Sequence, residues 1–220
     1  MRNHMIILLI CLFPATARGQ IKSAVGPEGG PAVSFLHGSK EIRKETNPAA
    51  AFTVGFYYHY YITENQVFRT GLMLTQRGGR EKDDFLGTVY RLNYLYLDLP
   101  FIMRFATKGD TKFFADIGLF VGYMLKASFS SSDIAADYKF TKDAQRYDTG
   151  LITGLGISTP AWDNTRFSFE VRNDLGLINV LLDKDAGTPP QKLMTNSTAF
   201  LFGLEFTILG SGKNSNKQEQ

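Results

Sequence analysis

Cysteine and histidine are scarce in this chain of 220 residues, which has one cysteine and three histidines. Cys11 lies inside the first hydrophobic segment, so the remainder of the chain has neither a disulfide nor a thiol nucleophile. His4, His37 and His59 do not have the spacing of a metal site. We therefore expect no metal, no cofactor and no cysteine-based catalysis.

Long apolar runs and an excess of either charge are also missing. No segment beyond the N-terminus approaches the roughly 20 apolar residues of a transmembrane helix. The net charge is only +3 and there is no run of lysine or arginine, so nucleic acid is not expected as a partner. A membrane β-barrel is still compatible with this composition, because its strands need only about 9–11 residues of alternating polarity.

The N-terminus has the three parts of a secretory signal peptide. A basic start precedes the apolar residues 6–13, and small residues follow at Ala17 and Gly19. The run is about half the length of a membrane anchor, so we predict a cleaved signal over residues 1–19. Cleavage after Ala17 is the alternative.

The last predicted strand shows strict alternation of large apolar residues with small or polar ones. Phe200, Phe202, Leu204, Phe206 and Ile208 occupy every second position. Such a period of two is typical of a β-strand with one apolar face. Similar patterns predict eight strands in all, at about residues 23–35, 50–62, 67–77, 89–105, 112–126, 146–159, 166–174 and 196–208. The first is the weakest pattern, since glycines and prolines interrupt it.

The predicted connections alternate in length. Those after strands two, four and six are tight, whereas the others are longer and polar, at residues 38–48, 78–88, 127–145 and 175–195. Outer-membrane barrels have an even number of strands, short periplasmic turns and longer outer loops. We therefore predict an all-β fold, an eight-stranded antiparallel up-and-down transmembrane barrel over residues 20–209, with periplasmic termini. Residues 210–220 are predicted to be a disordered polar tail.

Charged residues fall on the face of the strands opposite the apolar residues. We predict that they form a network inside the barrel, with members Arg69, Arg77, Asp98, Arg104, Asp116, Asp148, Glu170, Arg172 and Glu205. An eight-stranded barrel is just wide enough for side chains to fill, which favours a salt-bridged plug. A narrow pore lined by these charges is the alternative.

Aromatic residues collect near the end of the strands where the tight turns lie. Tyr61 belongs to this group in the sequence, and the other members are Tyr58, Tyr60, Phe105, Phe113, Trp162 and Phe167. At a membrane interface such residues form a girdle, so we predict a periplasmic aromatic girdle. The alternative is the hydrophobic plug of a soluble barrel.

Several segments resemble the small outer-membrane proteins called the PorT-like or porin family. The segment Tyr96–Phe105, YLDLPFIMRF, resembles their YLEIPLLLKY strand. Further similar segments follow in the same order, at residues 75–79, 113–122, 147–156 and 169–179. The similarity covers about residues 49–208, but strand one lacks the family's glycine and asparagine pattern. The resemblance implies a barrel of the OmpA/OmpX type. It does not imply one activity, although some relatives are tied to type IX secretion.

Together these features predict a small, monomeric, non-enzymatic barrel in the outer membrane of a Gram-negative bacterium, with a structural or interaction role through its outer loops. Its expected partners are outer-membrane lipid, the barrel-assembly machinery during insertion, and a protein at the outer loops. The alternatives are a narrow pore, an accessory barrel of a type IX-like secretion machine, and a lipid-modifying enzyme. The last lacks support, because no nucleophile and base pair is evident around His59.

Overall fold

The computed structural model describes residues 22–38, 46–82, 89–131, 134–139, 145–179 and 193–209. The predicted signal peptide and polar tail lie outside these residues. The described residues contain no helix that could cross a membrane. They form ten β-strands: β1 (Ser23–Gly38), β2 (Thr46–Asn47), β3 (Ala49–Tyr61), β4 (Gln66–Lys82), β5 (Val89–Ala106), β6 (Lys112–Ser131), β7 (Ile134–Lys139), β8 (Tyr147–Trp162), β9 (Thr165–Gly176) and β10 (Leu193–Leu209).

Eight long strands close into an antiparallel barrel in the order β1-β3-β4-β5-β6-β8-β9-β10. The barrel closes where β10 pairs with β1, from Ser23 opposite Leu209 to Gly38 opposite Leu193. Two short strands add to this ring, β2 beside β4 and β7 beside β6. The prediction of an all-β, eight-stranded up-and-down barrel is confirmed.

The three predicted tight turns all lie at one end of the barrel, here called the short-turn end. They comprise residues 62–65, 107–111 and 163–164. Asn164 has φ 61° and Gly109 has φ 113°, a backbone region that asparagine and glycine tolerate best. Both β1 and β10 meet this end, so the two ends of the barrel domain lie beside the turns.

Alternation along the strands separates an apolar outside from a mixed inside. On β6, for example, Ile117, Leu119 and Val121 are exposed, whereas Asp116 and Phe120 are buried in the lumen. All eight long strands carry exposed apolar residues, so these residues form a belt around the barrel. An exposed apolar belt is typical of a barrel surface that contacts lipid.

Strand β1 is a complete strand of 16 residues, although the sequence predicted it only weakly. Its ladder to β3 is continuous through Pro27 and Pro31. The ladder to β10 is instead interrupted at Gly26–Pro27 and again at Gly30–Pro31. Proline has no N–H to donate, so these prolines are tolerated where the hydrogen-bonded ladder is already broken.

A β-bulge between β5 and β6 corrects one predicted face. Leu95 pairs with Lys126 and Tyr96 pairs with Met124, which leaves Leu125 as the extra residue. The bulge therefore places Lys126 on the outer face with Leu95, whereas simple alternation predicted an inward position. Beyond the bulge, β6 continues to Ser131 through residues that the sequence predicted to be loop.

Candidate functional site

Buried charges fill the half of the lumen nearer the short-turn end. Arg69 Nη1 donates to Asp116 Oδ2 at 2.5 Å and to Glu170 Oε2 at 2.9 Å. Arg104 Nη2 donates to the same two oxygens at 2.8 and 3.0 Å, and its Nε donates to Asp116 Oδ1 at 2.9 Å. Glu28 Oε2 accepts from Arg69 Nη2 at 2.6 Å. These five residues, from β1, β4, β5, β6 and β9, are here called the lower network.

Arg172 connects the lower network to a second group of charges further along the barrel axis. Its Nη1 donates to Glu28 Oε1 at 3.4 Å and to the Tyr57 hydroxyl at 2.5 Å. Its Nε lies 3.3 Å from Asp174 Oδ1. One guanidinium thus joins carboxylates of β1 and β9, the two strands that flank β10.

Arg77 is the centre of this second group, the upper network. Its Nη2 donates to Asp98 Oδ2 at 2.7 Å, while Asp148 and Asp174 lie 3.7 and 3.8 Å from its nitrogens. Thr195 donates its hydroxyl to Asp148 at 3.0 Å. The upper network therefore places three carboxylates around one arginine.

Two apolar layers and a smaller cluster of Ala32, Ala199 and Leu201 fill the rest of the lumen. One layer lies between the networks and consists of Tyr57, Met73, Ile102, Phe120 and Ile152. The other, here called the cap layer, lies beyond the upper network and consists of Leu36, Tyr94, Tyr96, Met124, Ala127 and Leu193. Aromatic rings also cover the guanidinium groups: Arg77 lies 4.3 Å from the Phe120 ring centre and Arg104 lies 3.3 Å from that of Phe114. Side chains thus occupy the lumen over most of its length.

Glu205 was predicted in the charge network, but it belongs to a separate group at the short-turn end. Its carboxylate lies 3.5 Å from His59 Nδ1 and accepts a hydrogen bond from the Tyr61 hydroxyl. Tyr61 therefore points into the barrel, which corrects its predicted place in the outer girdle. In the described part of the chain His59 makes no side-chain hydrogen bond to a serine or threonine, so no activated hydroxyl is evident. The cavity beside this group has a volume of about 20 Å³, enough for about one water molecule.

Carboxylates outnumber arginines in the lumen. Among the residues that the structure describes, the buried arginines are Arg69, Arg77, Arg104 and Arg172, and the buried carboxylates are Glu28, Asp98, Asp116, Asp148, Glu170, Asp174 and Glu205. Within the described ranges, no three acidic, histidine or cysteine side chains are arranged to hold a metal ion. Several of these carboxylates must therefore share one arginine as their ion-pair partner.

Sequence reasoning omitted two members of the networks. Glu28 was omitted because the prolines and glycines around it weakened the strand pattern of β1. Asp174 had the correct parity, since it follows Glu170 and Arg172 at every second position of β9. Parity alone would have identified both residues once β1 was accepted as a strand.

The remaining predicted girdle residues lie on the outside of the barrel near the short turns. Trp162 is the most exposed, at 68%, and Phe105 and Phe113 are also well exposed. Tyr58, Tyr60 and Phe167 lie on the outward positions of β3 and β9. The structure thus places all six on the outer face at the short-turn end.

At the opposite end, one side of the barrel extends well beyond the other. Tyr123 of β6 is the last residue paired with β8, at Tyr147, whereas β6 itself continues to Ser131. Past this point β6 and its neighbours form a sheet that extends the barrel wall, with the strand order β2-β4-β5-β6-β7. We call this the projecting sheet; its parts are residues 46–47, 76–82, 89–95, 126–131 and 134–139. The six residues of β6 past the bulge correspond to roughly 15 Å of height at the usual strand rise and tilt. Among the described residues, no strand pairs with the second edge of β7.

Solved structures with similar folds are outer-membrane barrels. Neisserial surface protein A (NspA) is 14% identical, with coverage of 84% of this chain and 97% of that chain and a TM-score of 0.50. A major outer membrane protein from Thermus thermophilus is 9% identical, with coverage of 84% and 99% and a TM-score of 0.50. At such low identities the similarity establishes the fold alone. A comparison of this sequence with curated protein sequences found no match.

Residues 15–182 match the family described as outer membrane protein beta-barrel domain. The matched range includes β1 to β9, while β10, which closes the barrel, lies beyond it. An outer-membrane location follows from this family, and the narrower PorT-like assignment stays a prediction. With most of its length matched and its eight-stranded barrel closed, the chain belongs to the outer membrane protein beta-barrel domain family.

Proposed function

We propose that this protein is a non-enzymatic outer-membrane barrel with a closed lumen, and that its projecting sheet binds a protein outside the cell. The observation that carries this proposal is the sheet itself. It extends one side of the barrel by several residues per strand and ends in β7, whose second edge has no strand partner in the described chain. Free strand edges present rows of N–H and C=O groups that an extended segment of another protein can pair with.

The orientation in this proposal places the short turns and both ends of the barrel domain in the periplasm. Short periplasmic turns and longer outer connections are the rule for bacterial outer-membrane barrels. The projecting sheet lies at the opposite end, so this orientation directs it away from the cell. A rigid barrel that carries a functional surface on its loops is a common arrangement.

The filled lumen supports an interaction role over transport. Two charge networks and two apolar layers occupy it, and eight strands leave little more room than side chains need. A narrow pore is the second candidate, favoured by the buried hydroxyls of Thr53, Tyr96 and Ser197, which have no hydrogen-bond partner among the described residues. Such groups are usually satisfied by buried water. Water at isolated positions between filled layers does not make a continuous path for ions.

The PorT-like resemblance suggests one specific partner class, a type IX-like secretion machine. This finer proposal is supported only by the similar sequence segments, chiefly that of β5. In this finer proposal the partner also binds the projecting sheet. The crosslinking experiment below would then give an adduct with a component of that machine.

Site-specific photo-crosslinking on intact cells tests the proposal. A photoreactive amino acid is placed at Ala135 in β7 or, as the matched control, at Leu177, which lies at the same end of the barrel just after β9. We expect a discrete protein adduct from Ala135 and none from Leu177. A second probe is placed at Arg91 of β5, the strand that pairs with β6 in the projecting sheet. We expect this probe to form an adduct in the intact chain and none after deletion of residues 128–143. Identical patterns from Ala135 and Leu177, or no adduct from either, would contradict the proposal.

A further inference from the structure

The outer face of the barrel carries a second pair of aromatic rings, at the end opposite the short turns. Tyr123 of β6 and Tyr147 of β8 are paired in the ladder, and their ring centres lie 5.5 Å apart. Both are exposed, as is Phe113 at the short-turn end of β6. The ten residues from Phe113 to Tyr123 correspond to roughly 25 Å along the membrane normal at the usual strand rise and tilt. Because the apolar band of an outer-membrane barrel is about 25 Å tall, the two tyrosines lie at the second membrane interface.

Cationic side chains lie beside these tyrosines and just beyond them. Arg146 is exposed, and its Nη1 donates to the Tyr123 hydroxyl at 3.0 Å. The Arg146 carbonyl accepts from the Met124 N–H at 2.7 Å, which fixes the residue at the rim of the barrel. Lys126 follows on the outer face of β6, where the bulge at Leu125 places it. Two cations are therefore held at the level where the apolar band ends.

Two arginines lie opposite each other on the same outer face, further from the short-turn end. Arg80 of β4 is paired with Arg91 of β5, and both are exposed. They have the parity of Leu72 and Leu97, which belong to the exposed apolar belt. Arg80 Nε donates to the Pro48 carbonyl at 2.9 Å. Like charges directly opposite each other on neighbouring strands destabilise a sheet, so this pair requires a compensating anion.

The outer basic patch, as we call Arg80, Arg91, Lys126 and Arg146, has no acidic residue at the neighbouring outward positions that the structure describes. Beyond the level of Tyr123, the other outward residues of β4, β5 and β6 are Gln76, Gly78, Asn93, Leu95, Ser128 and Ser130. In the described lumen, by contrast, each buried arginine lies within ion-pair distance of a carboxylate. The patch therefore differs from the internal networks in having an excess of positive charge.

We propose that the outer basic patch binds the phosphate groups of a phosphorylated glycolipid in the outer leaflet of the membrane. Guanidinium groups match the geometry of phosphate oxygens and form charge-assisted hydrogen bonds with them. The patch lies on the lipid-facing side of the wall and begins where the apolar belt ends, which is the level of the lipid headgroups. A phosphate between Arg80 and Arg91 compensates their repulsion. The inference rests on the orientation in the proposed function, which places the projecting sheet outside the cell, and not on the protein partner.

The vertical extent of the patch favours a glycolipid with several phosphates over a diacyl phospholipid. Arg91 lies four residues beyond Leu95, the ladder partner of Lys126, which corresponds to roughly 10 Å along the membrane normal. A diacyl phospholipid carries its phosphate at one level, next to the glycerol. A glycolipid with phosphorylated sugars presents phosphates at the interface and again further from the membrane. One such molecule matches both levels of the patch.

Binding by the purified full-length barrel in neutral detergent micelles tests this site. Microscale thermophoresis measures the Kd for short-core lipopolysaccharide with phosphorylated sugars, for the same glycolipid after dephosphorylation, for phosphatidylglycerol and for inorganic phosphate. We expect the phosphorylated glycolipid to bind several-fold more tightly than the other three. Arg80→Gln/Arg91→Gln should raise its Kd roughly tenfold, which corresponds to about one charge-assisted hydrogen bond.

The matched control is Lys22→Gln/Lys108→Gln, which removes two exposed cations from the short-turn end. It should bind like the wild-type barrel, and gel mobility of unheated samples verifies that both double variants are folded. An unchanged Kd after dephosphorylation of the glycolipid, or equal effects of the two double variants, would overturn the site. Phosphatidylglycerol or inorganic phosphate bound as tightly as the glycolipid would overturn the assignment of the ligand.

Labelling on intact cells separates this inference from the proposed function. A cysteine in Ser130→Cys, on the outer face of the projecting sheet, is treated with a membrane-impermeant maleimide. We expect it to be labelled without permeabilisation of the outer membrane. Labelling only after permeabilisation would place the sheet in the periplasm and overturn both proposals. Labelling of intact cells without glycolipid binding in micelles would overturn the outer basic patch alone, since the crosslink from Ala135 does not depend on it.

Discussion

The excess of carboxylates in the lumen predicts that loss of an arginine destabilises the barrel more than loss of a carboxylate. In the lower network, Arg104 has three hydrogen bonds to Asp116 and Glu170. After Arg104→Leu, those two carboxylates and Glu28 would share Arg69 as their principal partner. After Glu170→Gln, every arginine still has a carboxylate within hydrogen-bond distance.

The expected losses of unfolding free energy follow from the ion-pair partners that each substitution removes. Removal of one member of a buried ion pair costs about 3–5 kcal/mol when the other is left uncompensated, which is our expectation for Arg104→Leu. Glu170→Gln removes hydrogen bonds to charged groups but retains an acceptor oxygen, so it should cost no more than about 1.5–3 kcal/mol. The double variant Arg104→Leu/Glu170→Gln should be more stable than Arg104→Leu, because it has one fewer unpaired carboxylate in an equally altered lumen.

Urea unfolding of the barrel in detergent micelles measures these differences. Trp162 is the only tryptophan and lies exposed at the short-turn end, so its fluorescence reports loss of the micelle environment. Gel mobility of unheated samples provides an independent measure of the folded fraction. An unchanged midpoint for Arg104→Leu would show that these side chains are hydrated. A double variant less stable than Arg104→Leu would refute the argument from excess carboxylate.

Further expectations concern location, conduction and packing. The protein should fractionate with the outer membrane, and recovery of it as a soluble periplasmic protein would contradict the barrel in lipid. In planar bilayers it should show little or no steady conductance because the lumen is filled, and reproducible channels of defined size would favour the narrow pore instead. Gly156→Val should prevent folding of the barrel in vesicles, whereas Ala115→Val on the lipid-facing side should be tolerated. A Cβ at position 156 would lie 2.3 Å from Phe114 Cζ and 2.4 Å from the Phe169 carbonyl oxygen, too close for either atom. The folded fraction of the two variants, measured by gel mobility of unheated samples, tests this expectation.

Features with a short repeat were predictable from the sequence. The alternation at Phe200, Phe202 and Phe206 identified β10 and its outward face, because successive side chains of a strand point to opposite sides whatever the partners are. The tight turns were found for a similar reason, since residues such as Asn164 act through their own backbone preferences. Strand number, closure and the inward position of the charges followed from these local signals.

Local signals failed where neighbouring strands decide the outcome. The bulge at Leu125 reversed the face of Lys126, and nothing in the alternation of β6 alone indicates a bulge. Glu28 was overlooked because its prolines weaken an isolated strand, whereas in the barrel they lie at breaks in the ladder to β10. The projecting sheet was predicted as loop because its strands depend on pairing with each other.

The partners of each charge depended on the tertiary structure alone. Arg69 and Glu170 are separated by 101 residues, and Glu28 and Arg172 by 144. Parity places all four in the lumen, but the stagger of eight strands around the closed barrel determines which of them reach the same height. The sequence by itself therefore determined a barrel with an apolar outside and charged residues inside. Which charges meet, and that Glu205 contacts His59 and Tyr61 instead of an arginine, was decided by closure, because only closure fixes the relative heights of strands far apart in the chain.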